Sequence, residues 1–194
     1  IGNQLAKSIS SFFGYNVLGL FQSTEEVNAA PAQDGKGVGR FRYQDMNGDN
    51  VINDQDRTYL GSPVPKFTGG FKFILRYKGF DLEGYVYTSL GNKIFNVSKW
   101  FTDFYPSFQG AAISERVKGS WTPENPGNDI PIFESASNFS TNTQSNSFYV
   151  EDGSYLRMTN LTLGYNLPTA ILNRAGMTKL RIFIASNNLF TISG

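Results

Sequence analysis

An all-β, antiparallel fold is what this chain of 194 residues predicts, and three observations predict it. Aromatic residues make up 15% of the chain beside 20 glycines, with only 17% charged residues. That composition suits strands joined by many turns, or a membrane barrel with aromatic girdles. Residues 66–91 alternate in polarity with period two across a two-residue turn. The stretch that follows runs for more than fifty residues with no clear strand alternation. Compact domains rarely use connections beyond about 12–15 residues. Minimal turns at one end and very long loops at the other are the pattern of an antiparallel transmembrane β-barrel.

The first residues, "IGNQLAKSISSFFGYNVLGLFQ", lack a charged segment followed by a compact apolar one, so they do not read as a signal peptide. No stretch approaches ~20 consecutive apolar residues, and a transmembrane helix is not expected. A transmembrane strand needs only about 9–11 residues, which hydropathy does not reveal.

The segment "GKGVGRFRY" reads as a strand, and it leads into "YQDMNGDNVINDQD" at 43–56. From Asp45 the spacing is D-x-N-x-D-x-x-I-x-x-x-D. Asp45, Asn47, Asp49 and Asp56 fall where calcium loops place side-chain oxygens, and Val51 where they use a carbonyl. Asn50 stands where glycine is usual, and asparagine is the residue type that tolerates the left-handed backbone there. Ile52 would anchor the loop to a core. The alternative is an acidic surface turn, because Asp, Asn and Gly mark turns without any metal. The two prolines of "RTYLGSPVPKF" forbid the second helix of an EF-hand.

In the hairpin, Phe71, Phe73, Leu75 and Tyr77 share one face with Phe80, Leu82, Gly84 and Val86. Lys72, Ile74 and Arg76 share the other with Asp81, Glu83, Tyr85 and Tyr87. Turning at Lys78-Gly79 pairs Tyr77 with Phe80, Arg76 with Asp81 and Leu75 with Leu82. A soluble sandwich would bury the apolar face; a barrel would turn it to lipid and line its lumen with Arg76, Asp81 and Glu83. Those charges either meet substrate or form a cross-strand ladder.

The long segment after the hairpin carries Trp100, Phe101, Phe104, Tyr105, Phe108 and Trp121. They are candidates for contact with a partner or substrate, or for packing the loop on itself. "SASNFSTNTQSNS" has the composition of a flexible loop tip. "SYLRMTNLTLGYNLP" and "KLRIFIASNNLFT" read as strands, separated by helical turns over "TAILNRAGM" that Gly176 would end. The chain stops at "FTISG" without a closing element, as an interrupted chain would.

Composition also excludes chemistry. With no cysteine and no histidine, Ser-His-Asp and Cys-His catalysis and the common zinc sites are absent from this sequence. A net charge of +1 without basic clusters gives no footprint for nucleic acid. Nothing brings Glu115, Glu124 and Asp129 together as a glycosidase pair would require. No enzyme is expected. The sequons at Asn96, Asn138 and Asn160 read as chance matches.

Four stretches carry a resemblance: "YQDMNGDNVINDQDRTYLGSPVPKFTGGF", "WTPENP", "YVEDGSYLRMTNLTLGYNLP" and "LRIFIASNNLFTISG". In this order they resemble the C-terminal barrel half of SusC/RagA-like TonB-dependent transporters of Bacteroidetes outer membranes. "FFGYNVLGLFQSTEEV" is similar to the segment preceding the acidic loop in that family. The resemblance implies that 1–194 is part of a barrel of about 22 strands, without its plug or the first half of its wall. It implies uptake of oligosaccharides or peptides through the outer membrane, beneath a SusD-like lipoprotein and driven through TonB. It makes a bound Ca²⁺ or Mg²⁺ in the 45–56 loop structural rather than catalytic. The rival reading is a secreted, calcium-stabilised β-domain that binds glycans through Trp100, Phe101, Phe104, Tyr105 and Trp121.

Overall fold

The computed structural model describes residues 7–127, 129–173 and 176–194. In chain order the strands are β1 (Phe12–Gly14), β2 (Val17–Leu20), β3 (Phe41–Tyr43), β4 (Thr58–Gly61), β5 (Phe67–Tyr77) and β6 (Phe80–Leu90). Then follow β7 (Lys93–Phe95), β8 (Val150–Asp152), β9 (Tyr155–Asn166) and β10 (Arg181–Ser193). Short helices α1 (Thr24–Ala29), α2 (Ser98–Thr102) and α3 (Thr169–Leu172) interrupt them. The described pairings within the sheets are antiparallel. Two compact units result, Ile1–Pro63 with Lys93–Glu151, and Val64–Asn92 with Asp152–Gly194.

The first unit has short ladders, β1 with β4, β2 with β3 and β7 with β8, around an aromatic core. Phe41 and Tyr43 are buried on either side of half-buried Arg42, the period-two signature of a strand with one face inward. Tyr15 stacks on Tyr43 at 4.9 Å, and Phe148 lies 5.2 Å from Phe41. Leu20, Ile52, Phe104, Trp121 and Tyr149 complete the cluster. Burial of each such side chain is worth about 1.5–3 kcal/mol, which is what holds so little regular structure together.

The Ser/Asn-rich segment is not a flexible tip. Ser140, Thr141, Asn142 and Asn146 are buried. Their side chains replace strand ladders as partners for the backbone. Ser140 Oγ donates to Asp34 O at 2.6 Å and accepts from Gln33 Nε2 at 2.7 Å. Asn146 Oδ1 accepts from Phe148 N at 3.0 Å, and its Nδ2 donates to the Tyr43 hydroxyl at 3.2 Å. Polar composition implies exposure only where partners are lacking, and here short side chains supply them.

The second unit is one sheet in the order β10-β9-β6-β5. Its hairpin has the expected register, Tyr77 opposite Phe80, Arg76 opposite Asp81 and Leu75 opposite Leu82. Lys78 and Gly79 both take positive φ, 45° and 88°, the two-residue turn whose twist matches the strands. In β9 the apolar residues change phase, from Leu156 and Met158 to Leu161, Leu163 and Tyr165. A bulge between the Tyr85–Asn160 and Val86–Met158 pairs absorbs the extra residue, so both halves keep their apolar side chains on one face. α3 covers part of the helical turns expected over 169–177; Arg174 and Ala175 lie outside the described residues.

Candidate functional site

Register assigns each paired side chain of the sheet to a face. Directly paired residues point the same way, so Arg76, Asp81, Gly164 and Phe183 share a face, as do Leu75, Leu82, Leu163 and Ile184. Followed along all four strands, the charged residues Lys72, Arg76, Asp81, Glu83, Arg157 and Arg181 all fall on the first face. The second face carries no charge. It is also uncovered: Phe71 is 67% exposed, Leu75 61% and Ile184 77%. Large apolar side chains exposed over four neighbouring strands mark a surface for contact with protein or membrane.

On the charged face Asp81 has an unexpected partner. Arg76 is directly opposite it, yet the ion pair is with Arg181, at 2.5 Å from Nη2. Arg181 reaches Asp81 across β9 because Gly164 lies between them; a Cβ there would stand 2.5 Å from its Nη2. Asn166 Nδ2 adds a hydrogen bond to Asp81 at 3.2 Å. Glu83 pairs diagonally with Lys72 at 2.6 Å. The face therefore carries cross-strand ion pairs, but both are set by reach rather than by the direct opposition of Arg76 and Asp81.

The acidic loop belongs to the first unit and is held by its own side chains. Asp45 Oδ1 accepts from Gly48 N at 2.7 Å and Oδ2 from Asn50 N at 2.8 Å. Asn47 Oδ1 accepts from Asp49 N at 3.0 Å, and Asp49 Oδ1 from Val51 N at 2.8 Å. Asp56 is fully buried, its oxygens accepting from Met46 N and Asn53 N, both at 2.8 Å. Asn50 has φ 64°, the left-handed conformation its type tolerates, and buried Ile52 anchors the loop as expected. Desolvation alone would raise the Asp45 carboxyl, but the amides of Asn50, Gly48, Asp49 and Asn47 outweigh it and hold the group below the ordinary carboxylate range. Val51 exposes its side chain, and its carbonyl accepts from Asn53 Nδ2 at 3.3 Å. Among the described residues no group of three or more His, Cys, Asp or Glu is gathered as a metal centre. The carboxylates serve here as acceptors for the loop's own backbone amides.

The aromatics of the long segment divide by burial. Phe104 and Trp121 lie in the core, the Trp121 indole N–H donating to Gln22 Oε1 at 2.9 Å. Trp100 packs against that core and donates to Asn142 O at 2.8 Å. Tyr105 is half-buried beside Phe133, with ring centroids 5.9 Å apart. Phe101 and Phe108 remain exposed, at 45% and 60%. Burial pushes the Tyr43 and Tyr149 phenols well above their ordinary value, so neither is an acid or base near neutral pH.

No known family profile matches the chain. Curated relatives do. The chain is 34% identical over 185 residues to TonB-dependent receptor P26 of Formosa agariphila, covering 95% of the chain and 18% of the relative. It is 34% identical over 190 residues to TonB-dependent receptor P3 of the same organism, covering 96% and 18%. The chain thus spans about one-fifth of the length of the curated relatives it matches. Among solved structures, its fold is similar to that of the RagAB peptide transporter, with TM-score 0.72 and 21% identity over 94% of this chain and 19% of that one. The same importer in its open-open state gives TM-score 0.66 at 22% identity, covering 95% and 19%.

Proposed function

With the chain a homologue of part of the TonB-dependent receptors, which are outer-membrane proteins, we propose that its four long strands form wall of a transport barrel. The barrel imports oligosaccharides or peptides, with TonB supplying energy and a SusD-like lipoprotein closing its outer mouth. One observation carries this reading: a sheet with all its charge on one face and an uncharged, exposed apolar surface on the other. Strands of 11 to 13 residues are long enough to cross a bilayer, which takes about 9–11. A secreted glycan-binding module would bury Phe71, Leu75 and Ile184 instead. A peptide cargo is supported by the name of the RagAB peptide transporter alone.

In this reading Arg76, Asp81 and Glu83 line the lumen, and Phe101, with Phe108 beside it, is the aromatic surface left for a partner. A Ca²⁺ or Mg²⁺ held by Asp45, Asn47, Asp49, Asp56 and the Val51 carbonyl would brace the acidic loop and take no part in chemistry. The test is fractionation of the native source with an antibody against residues 96–148. The proposal expects a heat-modifiable band in the outer membrane that co-purifies with a lipoprotein. A soluble band near 21.6 kDa would overturn it.

A further inference from the structure

On the charged face of the sheet, Glu83 and Asp81 are taken by Lys72 and Arg181. Arg157, the third residue of β9, has no carboxylate partner among the described residues. It is nonetheless fixed: Nε donates to Thr191 Oγ1 at 3.0 Å, and the guanidinium lies 5.0 Å from the centroid of the Tyr155 ring. Tyr87 stands directly opposite Arg157, with its ring 6.1 Å from that of Tyr155. The next row is Tyr85, Asn160 and Asn187, where Asn160 Nδ2 donates to Asn187 Oδ1 at 3.1 Å. The bulge in β9 is what puts Asn160 on the same face as Arg157, three residues away.

A held, half-buried cation with free donors, beside tyrosine rings and a pair of amides, is a recognition surface. We propose that Arg157, Tyr155, Tyr87, Asn160 and Asn187 form a subsite for an oligosaccharide bearing carboxylates. Arg157 takes the carboxylate as a forked hydrogen-bond donor. The tyrosine rings take the apolar faces of the sugar rings. Asn160 and Asn187 exchange their mutual bond for the sugar hydroxyls. Charge complementarity chooses this occupant: four basic side chains share the face with two acidic ones, and Arg157, near the end of the sheet away from the Lys78-Gly79 turn, is a cation held there without an acid among the described residues. A sugar suits the surface better than a peptide, because flat rings and uncharged amides surround the cation. The assignment rests on the transport reading, which turns this face towards the lumen.

The complete receptor, purified from outer membranes in detergent, is titrated with three probes: tetragalacturonate, the neutral maltotetraose and tetraglutamate. Tetragalacturonate is expected to bind best, and more weakly as salt is raised. R157Q is expected to weaken it about tenfold, the worth of a hydrogen bond to a charged group, while changing maltotetraose less than about twofold. Y155A is expected to weaken both sugars. Equal binding of the two sugars by the unaltered receptor would overturn the subsite without need of any variant. So would preference for tetraglutamate, or tetragalacturonate binding indifferent to R157Q. Absence of the receptor from the outer membrane would instead overturn the transport reading, so the two failures are distinct.

Discussion

The two units of this chain hold similar kinds of residue and dispose of them in opposite ways. In the first, Tyr15, Phe21, Phe41, Tyr43 and Tyr149 are almost wholly buried, and Ser, Asn and Gln side chains stand in for the missing ladders. In the second, Phe71, Tyr77, Phe80 and Ile184 stand exposed on a sheet whose backbone is satisfied by its own ladder except at its outer edges. Aromatic richness therefore says nothing about solvent by itself. What separates the units is how backbone polarity is met: by side chains around a core in one, by strand pairing in the other. Only the second arrangement is compatible with lipid, which offers a backbone no partner.

Substitutions test the contrast, and the largest effects belong to the buried core. Phe41→Ala removes a ring that is 1% exposed and should cost the first unit about 3–5 kcal/mol, whereas Phe71→Ala should leave that unit unchanged. Protease sensitivity of the 93–151 segment in the complete receptor, followed against urea, reads the difference. On the sheet, Ile184→Arg should cost about 2–4 kcal/mol of assembled barrel, while Asn187→Arg on the opposite face should assemble normally. Heat-modifiable migration on gels distinguishes them.

Asp56→Ala strips two backbone amides of a buried acceptor and should cost about 1–3 kcal/mol, local to the 45–56 loop. Hydrogen exchange at Met46 and Asn53 is the readout. Gly164→Ala pushes Arg181 away from Asp81, and the loss of this solvent-screened ion pair should be smaller than any of these. Smallest is the pH effect at Asp45. Its carboxyl titrates below the ordinary range in the folded loop, so its contribution is present above that range and is lost as pH falls through the folded value. Asp45→Asn should flatten that acid-side loss, and added Ca²⁺ should protect the unaltered loop while leaving the variant less protected. Loop exchange rates against pH and Ca²⁺ measure both.

The sheet was legible because its information is local: alternation and a two-residue turn place Tyr77 opposite Phe80 with no knowledge of the rest. The anchoring of Ile52 and the left-handed backbone of Asn50 were legible for the same reason. The Asp81–Arg181 pair was not, since its partners are 100 residues apart and meet through the missing side chain of Gly164. One signal was available, the change of apolar phase between Met158 and Leu161, which calls for a bulge. The first unit was least legible. Its core joins Tyr15 and Tyr43 to Tyr149 across the whole segment, and burial of Ser140 and Asn146 depends on partners such as Gln33 and Tyr43 that no periodicity announces.

The central claim is that the two faces of the sheet meet different solvents. The direct measurement places single cysteines at Ile182, Phe183, Ile184 and Ala185 of the complete receptor, freed of other reactive thiols, and attaches a spin label at each. Collision with oxygen, which concentrates in lipid, and with a water-soluble nickel chelate is then recorded in membranes. The account predicts alternation, with 182 and 184 open to oxygen and 183 and 185 open to the chelate. Equal access to the chelate at all four positions would contradict it.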